Sequence, residues 1–78
     1  MAHYFFDTRD NGSVFRDDVG LEFPDLRTVK TQASLSLAEL AHDVLPGVCR
    51  RTLGVDVRDH RDAAVMTAEL VFEARLAG

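Results

Sequence analysis

Phe23-Pro24-Asp25-Leu26-Arg27-Thr28-Val29 is the stretch on which the fold turns. Pro24 holds the residue before it extended, because its ring clashes with an α-helical neighbour. Asp25 can accept hydrogen bonds from the orphan amides of a helix's first turn, and its charge suits the positive end of the helix dipole. From Leu26 onward Val29, Ala33, Leu37, Leu40, Ala41 and Val44 recur at steps of three and four, one face of an amphipathic helix. Leu35 and Ala38 fall off that stripe, so either the buried face is wide or Leu35 is partly exposed. Leu45-Pro46-Gly47 stops the helix. A sheet ends and a helix begins here, and the sequence on both sides reads as strand.

Upstream, Tyr4-Phe5-Phe6-Asp7 has the aromatic content that suits a pleated, half-buried surface. Asp10-Asn11-Gly12-Ser13 follows as a hairpin turn, since Asn and Gly both tolerate the positive φ of a type I′ turn. A second strand begins at Val14-Phe15-Arg16, breaks or turns at Asp17-Asp18, and resumes over Val19 to Phe23, with Gly20 in a bulge or tight bend. Downstream, Val48 to Arg51 reads as a connection, and Leu53, Val55 and Val57 then alternate with Gly54, Asp56 and Arg58. A polar turn, Asp59-His60-Arg61-Asp62, leads to a last strand with Met66, Ala68, Leu70 and Phe72 on one face. The expected order is β-β-α-β-β: an α+β domain over residues 1–78, with one amphipathic helix packed on one face of an antiparallel sheet.

The 78 residues carry 9 Lys and Arg against 13 Asp and Glu, a net charge of −4. That balance disfavours phosphate-driven nucleic-acid binding, which needs a basic surface. No apolar run approaches the roughly 18 residues of a membrane span, and Met1 to Asp7 lacks the basic start of a secretory signal. One cysteine, Cys49, excludes an internal disulfide and fits a reducing cytoplasm. A chain this short has little core from which to carve a substrate pocket, so no enzyme activity, cofactor or small-molecule substrate is expected.

The chemical motifs are weak. Asp7-Thr8-Arg9-Asp10-Asn11-Gly12 faintly resembles a calcium loop, but Arg9 puts a cation where a ligand belongs. His3, His42, His60 and Cys49 show no ligand spacing, so no metal site is expected. Asp17, Asp18, Glu22 and Asp25 form an acidic stretch with nothing apolar around it to divide acid and base roles. More informative is the sheet face away from the helix. With Tyr4, Phe6 and Leu70 inward, His3, Phe5, Val71 and Glu73 point outward, and placing the first strand beside the last would bring Phe5 and Val71 together. An apolar patch rimmed by charge suggests a protein-binding or regulatory module that uses its open sheet face or an edge strand, as a homodimer or with another protein. The plainer alternatives are a scattered surface Phe5 or inverted faces. The acidic residues Asp17, Asp18 and Glu22 offer a second expectation, in which opposite charge steers a basic partner.

Two resemblances bear on these expectations. His3-Tyr4-Phe5-Phe6-Asp7, then Asp18-Val19-Gly20-Leu21-Glu22-Phe23-Pro24-Asp25-Leu26, then the Ala- and Leu-rich helix to Leu45-Pro46-Gly47, resemble a family of short bacterial proteins classed as a domain of unknown function and frequent in alphaproteobacteria such as rhizobia. The likeness runs from about His3 to Leu76 and departs from the family's pattern at His3 and at Thr31 to Ser34. It implies the same fold order and a cytoplasmic bacterial setting, and assigns no catalytic residue. Phe23-Pro24-Asp25-Leu26 and the helix after it are also similar to the first half of HicB-type antitoxins, which oligomerise and mask an RNA-cleaving toxin. That likeness implies an acidic inhibitor of a basic, nucleic-acid-acting partner.

Overall fold

The structure is a computed structural model that describes residues 1–77. Among these residues the chain forms five strands and one α-helix: β1 (Ala2–Asp10), β2 (Ser13–Phe15), β3 (Leu21–Phe23), α1 (Leu26–Val44), β4 (Arg50–Asp59) and β5 (Ala64–Glu73). The α+β class, the antiparallel sheet and the helix on one face are as expected. The interrupted second strand is two short strands, β2 and β3, which both pair with β1. Arg50 and Arg51, expected in a connection, already belong to β4.

Local chemistry sets the boundaries. Asn11 (φ 52°) and Gly12 (φ 97°) make the hairpin turn between β1 and β2. The Asp25 carboxylate accepts the Thr28 amide at 2.9 Å and caps α1. Leu45–Gly47 ends the helix as a single 3₁₀ turn. The sheet order is β2-β1-β4-β5, with β3 beside β1 beyond β2 along the strand. The register places Tyr4, Phe6, Val55, Val57, Met66 and Leu70 on the helix side.

The core is small. Val29 and Ala33 of α1 meet Val55 and Val57 of β4, all at most 1% exposed, with Tyr4, Phe6, Phe23 and Met66 packed around them. Each such fully buried Val contributes on the order of 1.5–3 kcal/mol. Leu26, the first residue of the expected stripe, is 56% exposed, because it sits at the helix start beyond the sheet's cover. Leu35 is 55% exposed, so the buried face of α1 is the narrow one.

Candidate functional site

The open face of the sheet is occupied by its own charges. Arg58 lies 4.4 Å above the Phe5 ring and donates to Asp7 at 2.9 Å, with both charged side chains only 13–14% exposed. It also donates to the Asp17 carbonyl at 2.6 Å. Two rows further from the Phe5–Arg58 pair, Arg9 of β1 sits opposite Gly54 of β4, which sits opposite Glu69 of β5. With no side chain at Gly54, the Arg9 guanidinium lies flat over the sheet. It reaches Asp56 at 2.6 Å and Glu69 at 3.3 Å, while Thr67 donates to Asp56 at 3.0 Å. Partly buried pairs of this kind fix geometry more than they add stability.

Asp17 pins the bend between β2 and β3. Its carboxylate accepts the amides of Phe6 (3.0 Å), Val19 (2.9 Å) and Gly20 (3.0 Å), and its own amide donates to Asp7 at 2.8 Å. Burial pushes the Asp17 carboxyl up, but the three amides and the nearby Arg58 outweigh it and hold it below the usual carboxylate range. Asp7 follows the same pattern. Burial raises it, and the Arg58 and Asp17 hydrogen bonds bring it below its ordinary value.

This geometry corrects the expected patch. Phe5 and Val71 do not meet, because β4 lies between β1 and β5. Phe5 is opposite Arg58 and Val71 opposite Thr52, six residues apart along β4, or roughly 20 Å. Phe5 is half-buried between Arg58 and the His3 ring, whose centroid is 5.0 Å away. The acidic stretch is likewise divided. Asp17 and Asp25 are engaged as pin and cap, whereas Asp18 and Glu22 stay exposed.

Val71 is the expected residue that stands free, 71% exposed on β5. Among the described residues β5 pairs with β4 alone, so its far side is a ladder edge ten residues long. Which backbone groups face that edge follows from one bond: the Ala74 amide donates to the Cys49 carbonyl at 2.7 Å. Residues of an antiparallel strand point their amide and carbonyl alternately to one neighbour and the other. Phe72, Leu70 and Ala68 therefore bond to β4, and Thr67, Glu69, Val71 and Glu73 present their backbone groups to the free edge. Beside this edge is a shallow apolar hollow of about 470 Å³, lined by Ala38, Ala41, His42, Leu45, Pro46 and Phe72.

The sheet's opposite margin is built differently. There β2 and β3 are three residues each, separated by an acidic bend in which Gly20 has φ 68°. Short strands interrupted by a charged bend are one way sheets blunt an edge, although Val14, Phe15 and Leu21 stay exposed on this margin.

A family model described as a domain of unknown function, DUF6894, matches residues 3–71. The chain belongs to this family. Searches of curated proteins and of solved structures returned no match. The DUF6894 description names no activity, so the functional reading rests on the β5 edge and its surroundings. Sequence pattern alone allowed for an edge strand but left open which strand it is. Alternation shows which side chains share a face, whereas which strand lies outermost depends on a strand order that no local signal carries.

Proposed function

We propose that this domain is a non-enzymatic protein-binding or regulatory module whose partner, a second copy or another protein, adds a strand to the free edge of β5. The observation that supports it is the long regular strand with outward backbone groups at Thr67, Glu69, Val71 and Glu73, next to an apolar hollow. Glu69 is bonded to Arg9, and Glu73 to Arg50 and Arg75, so an incoming strand meets these carboxylates already held in place, and like charge opposes it only in a register that sets two of them directly opposite each other. A bacterial cytoplasmic setting is part of the proposal, and the exposed thiol of Cys49 suits a reducing compartment. The reading as an inhibitor of a basic partner draws on Asp18 and Glu22 alone, and no observation favours it over the edge.

The test is a photo-crosslinking side chain at position 71 in living host cells, compared with one at Arg61 in the exposed turn. A discrete protein adduct at 71 and none at 61 is expected. No adduct at 71, or equal adducts at both, overturns the proposal.

A further inference from the structure

We infer that the strand added to β5 is β5 of a second copy, paired antiparallel about a two-fold axis at Leu70. This rests on the edge-binding reading above and names its partner.

The exposed surface leaves room for a second copy. A compact protein of 8.7 kDa exposes about 4,700 Å², and this chain exposes 5472 Å². The surplus of roughly 700 Å² belongs to an elongated body, whose long flank leaves room for the ~800 Å² that each partner contributes to a standard interface. The shape agrees. The radius of gyration is 13.9 Å, against about 11.5 Å for a compact domain of this length. A second copy along β5 widens the short direction of a body that measures 53 × 22 × 16 Å.

Register selects the position of the axis. A two-fold axis at Glu69 sets that carboxylate opposite its own copy, and one at Val71 sets Glu69 opposite Glu73 of the second copy. Like charges directly opposed destabilise a ladder. An axis at Ala68 draws the pairing into the irregular stretch where the β4–β5 register shifts beside Val57 and Arg58. With the axis at Leu70, Glu69 faces Val71 and Thr67 faces Glu73 of the second copy. All four residues direct their backbone groups to this edge, so both pairs are hydrogen-bonded pairs and occur twice by symmetry.

The pairing also covers apolar surface on the helix side. Opposed residues of a ladder share a face, so both helices lie on the same side of one continuous sheet. On that side Leu70 meets its copy, and Phe72 faces Ala68 of the second copy. Phe72 also lines the hollow together with Ala38 and His42, so the hollow borders the seam. Leu35 shares the α1 flank of Ala38 and His42 at spacings of three and four. This gives the off-stripe, exposed Leu35 and Ala38 a place beside an apolar seam.

The test is sedimentation of the purified full chain across a dilution series, for wild type, Val71→Pro and Val71→Glu. The Val71 amide faces the free edge, so proline removes a donor to the second copy and none to β4. Glu at 71 tests the same edge by charge while keeping the amide, because it sets a carboxylate opposite Glu69 of the second copy, should the proline variant fail to fold. Wild type is expected at twice the monomer mass at micromolar concentration. Val71→Pro is expected to dissociate at roughly 100-fold higher concentration, as for two lost hydrogen bonds and their neighbours, and Val71→Glu at roughly 10-fold higher or more, both with unchanged circular dichroism. Wild type that stays monomeric at every concentration overturns the inference, as does association untouched in both variants. If wild type is monomeric while the position-71 crosslink captures a different protein, the second copy is overturned and the edge-binding reading stands. If no adduct forms, both fall.

Discussion

Replacing Asp17 separates two roles for the same carboxylate: a charge offered to a partner, or a pin for the fold. In the structure its Oδ2 takes the Phe6 amide, and its Oδ1 takes those of Val19 and Gly20. Asp17→Asn keeps the shape but has one carbonyl oxygen. Turned toward Val19 and Gly20, it leaves its NH₂ facing the Phe6 N–H, donor against donor. The loss of one charge-assisted bond and the weakening of two others should cost about 2–3 kcal/mol, and Asp17→Ala about 3–4 kcal/mol. For a domain this size the Asn variant should melt roughly 10–20 °C lower. Urea unfolding followed by circular dichroism at neutral pH measures both. The pH dependence supplies an internal check. The folded Asp17 carboxyl titrates below its ordinary 3.8, so its contribution is whole above that pH and is lost as pH falls through the folded value. Wild type and Asp17→Asn should therefore converge in stability below that range. An Asn variant as stable as wild type at neutral pH, with an unchanged acid limb, refutes the pin and returns Asp17 to the surface.

The glycines give an ordering. Gly20→Ala places a methyl 2.6 Å from the Tyr4 carbonyl at φ 68° and should cost about 3 kcal/mol, because backbone cannot yield. Gly54→Ala meets only the Arg9 guanidinium, which can swing aside with loss of its Asp56 bond, and should cost about 1–2 kcal/mol. Thermal melts of the two variants that come out in the reverse order would contradict the open-face packing. Val55→Ala, at a fully buried position, should lose about 2–3 kcal/mol in urea. Val71→Ala, measured at a dilution where the chain is a monomer, should stay within about 0.5 kcal/mol of wild type.

What the sequence made legible was local. The Asp25 cap, the Asn11-Gly12 turn and the Leu45-Pro46-Gly47 stop act within a few residues, and each sits where its chemistry required. The alternation of Leu53, Val55 and Val57 likewise reported one buried face. The pairing of Phe5 with Val71 failed because it needed the strand order, which is settled by contacts between residues 40 to 60 positions apart. The same distance hid the roles of Arg9 and Arg58. Each has its acidic partner on another strand, so neither looked different from a solvated surface charge. Asp17 and Asp18 looked alike in sequence, and only the close approach of the Phe6 amide distinguishes them.

Amide hydrogen exchange along β5, resolved by residue and repeated across a concentration series, tests the central claim most directly. In the dilute chain Leu70 and Phe72, bonded to β4, should be protected, and Glu69, Val71 and Glu73 should exchange as open amides. As concentration rises, the open set should slow until the alternation disappears, with no comparable change in β2 or β3. Free-edge amides that exchange at the same rate at every concentration, or protection that appears first at the β2 and β3 margin, would contradict a second copy bound along β5.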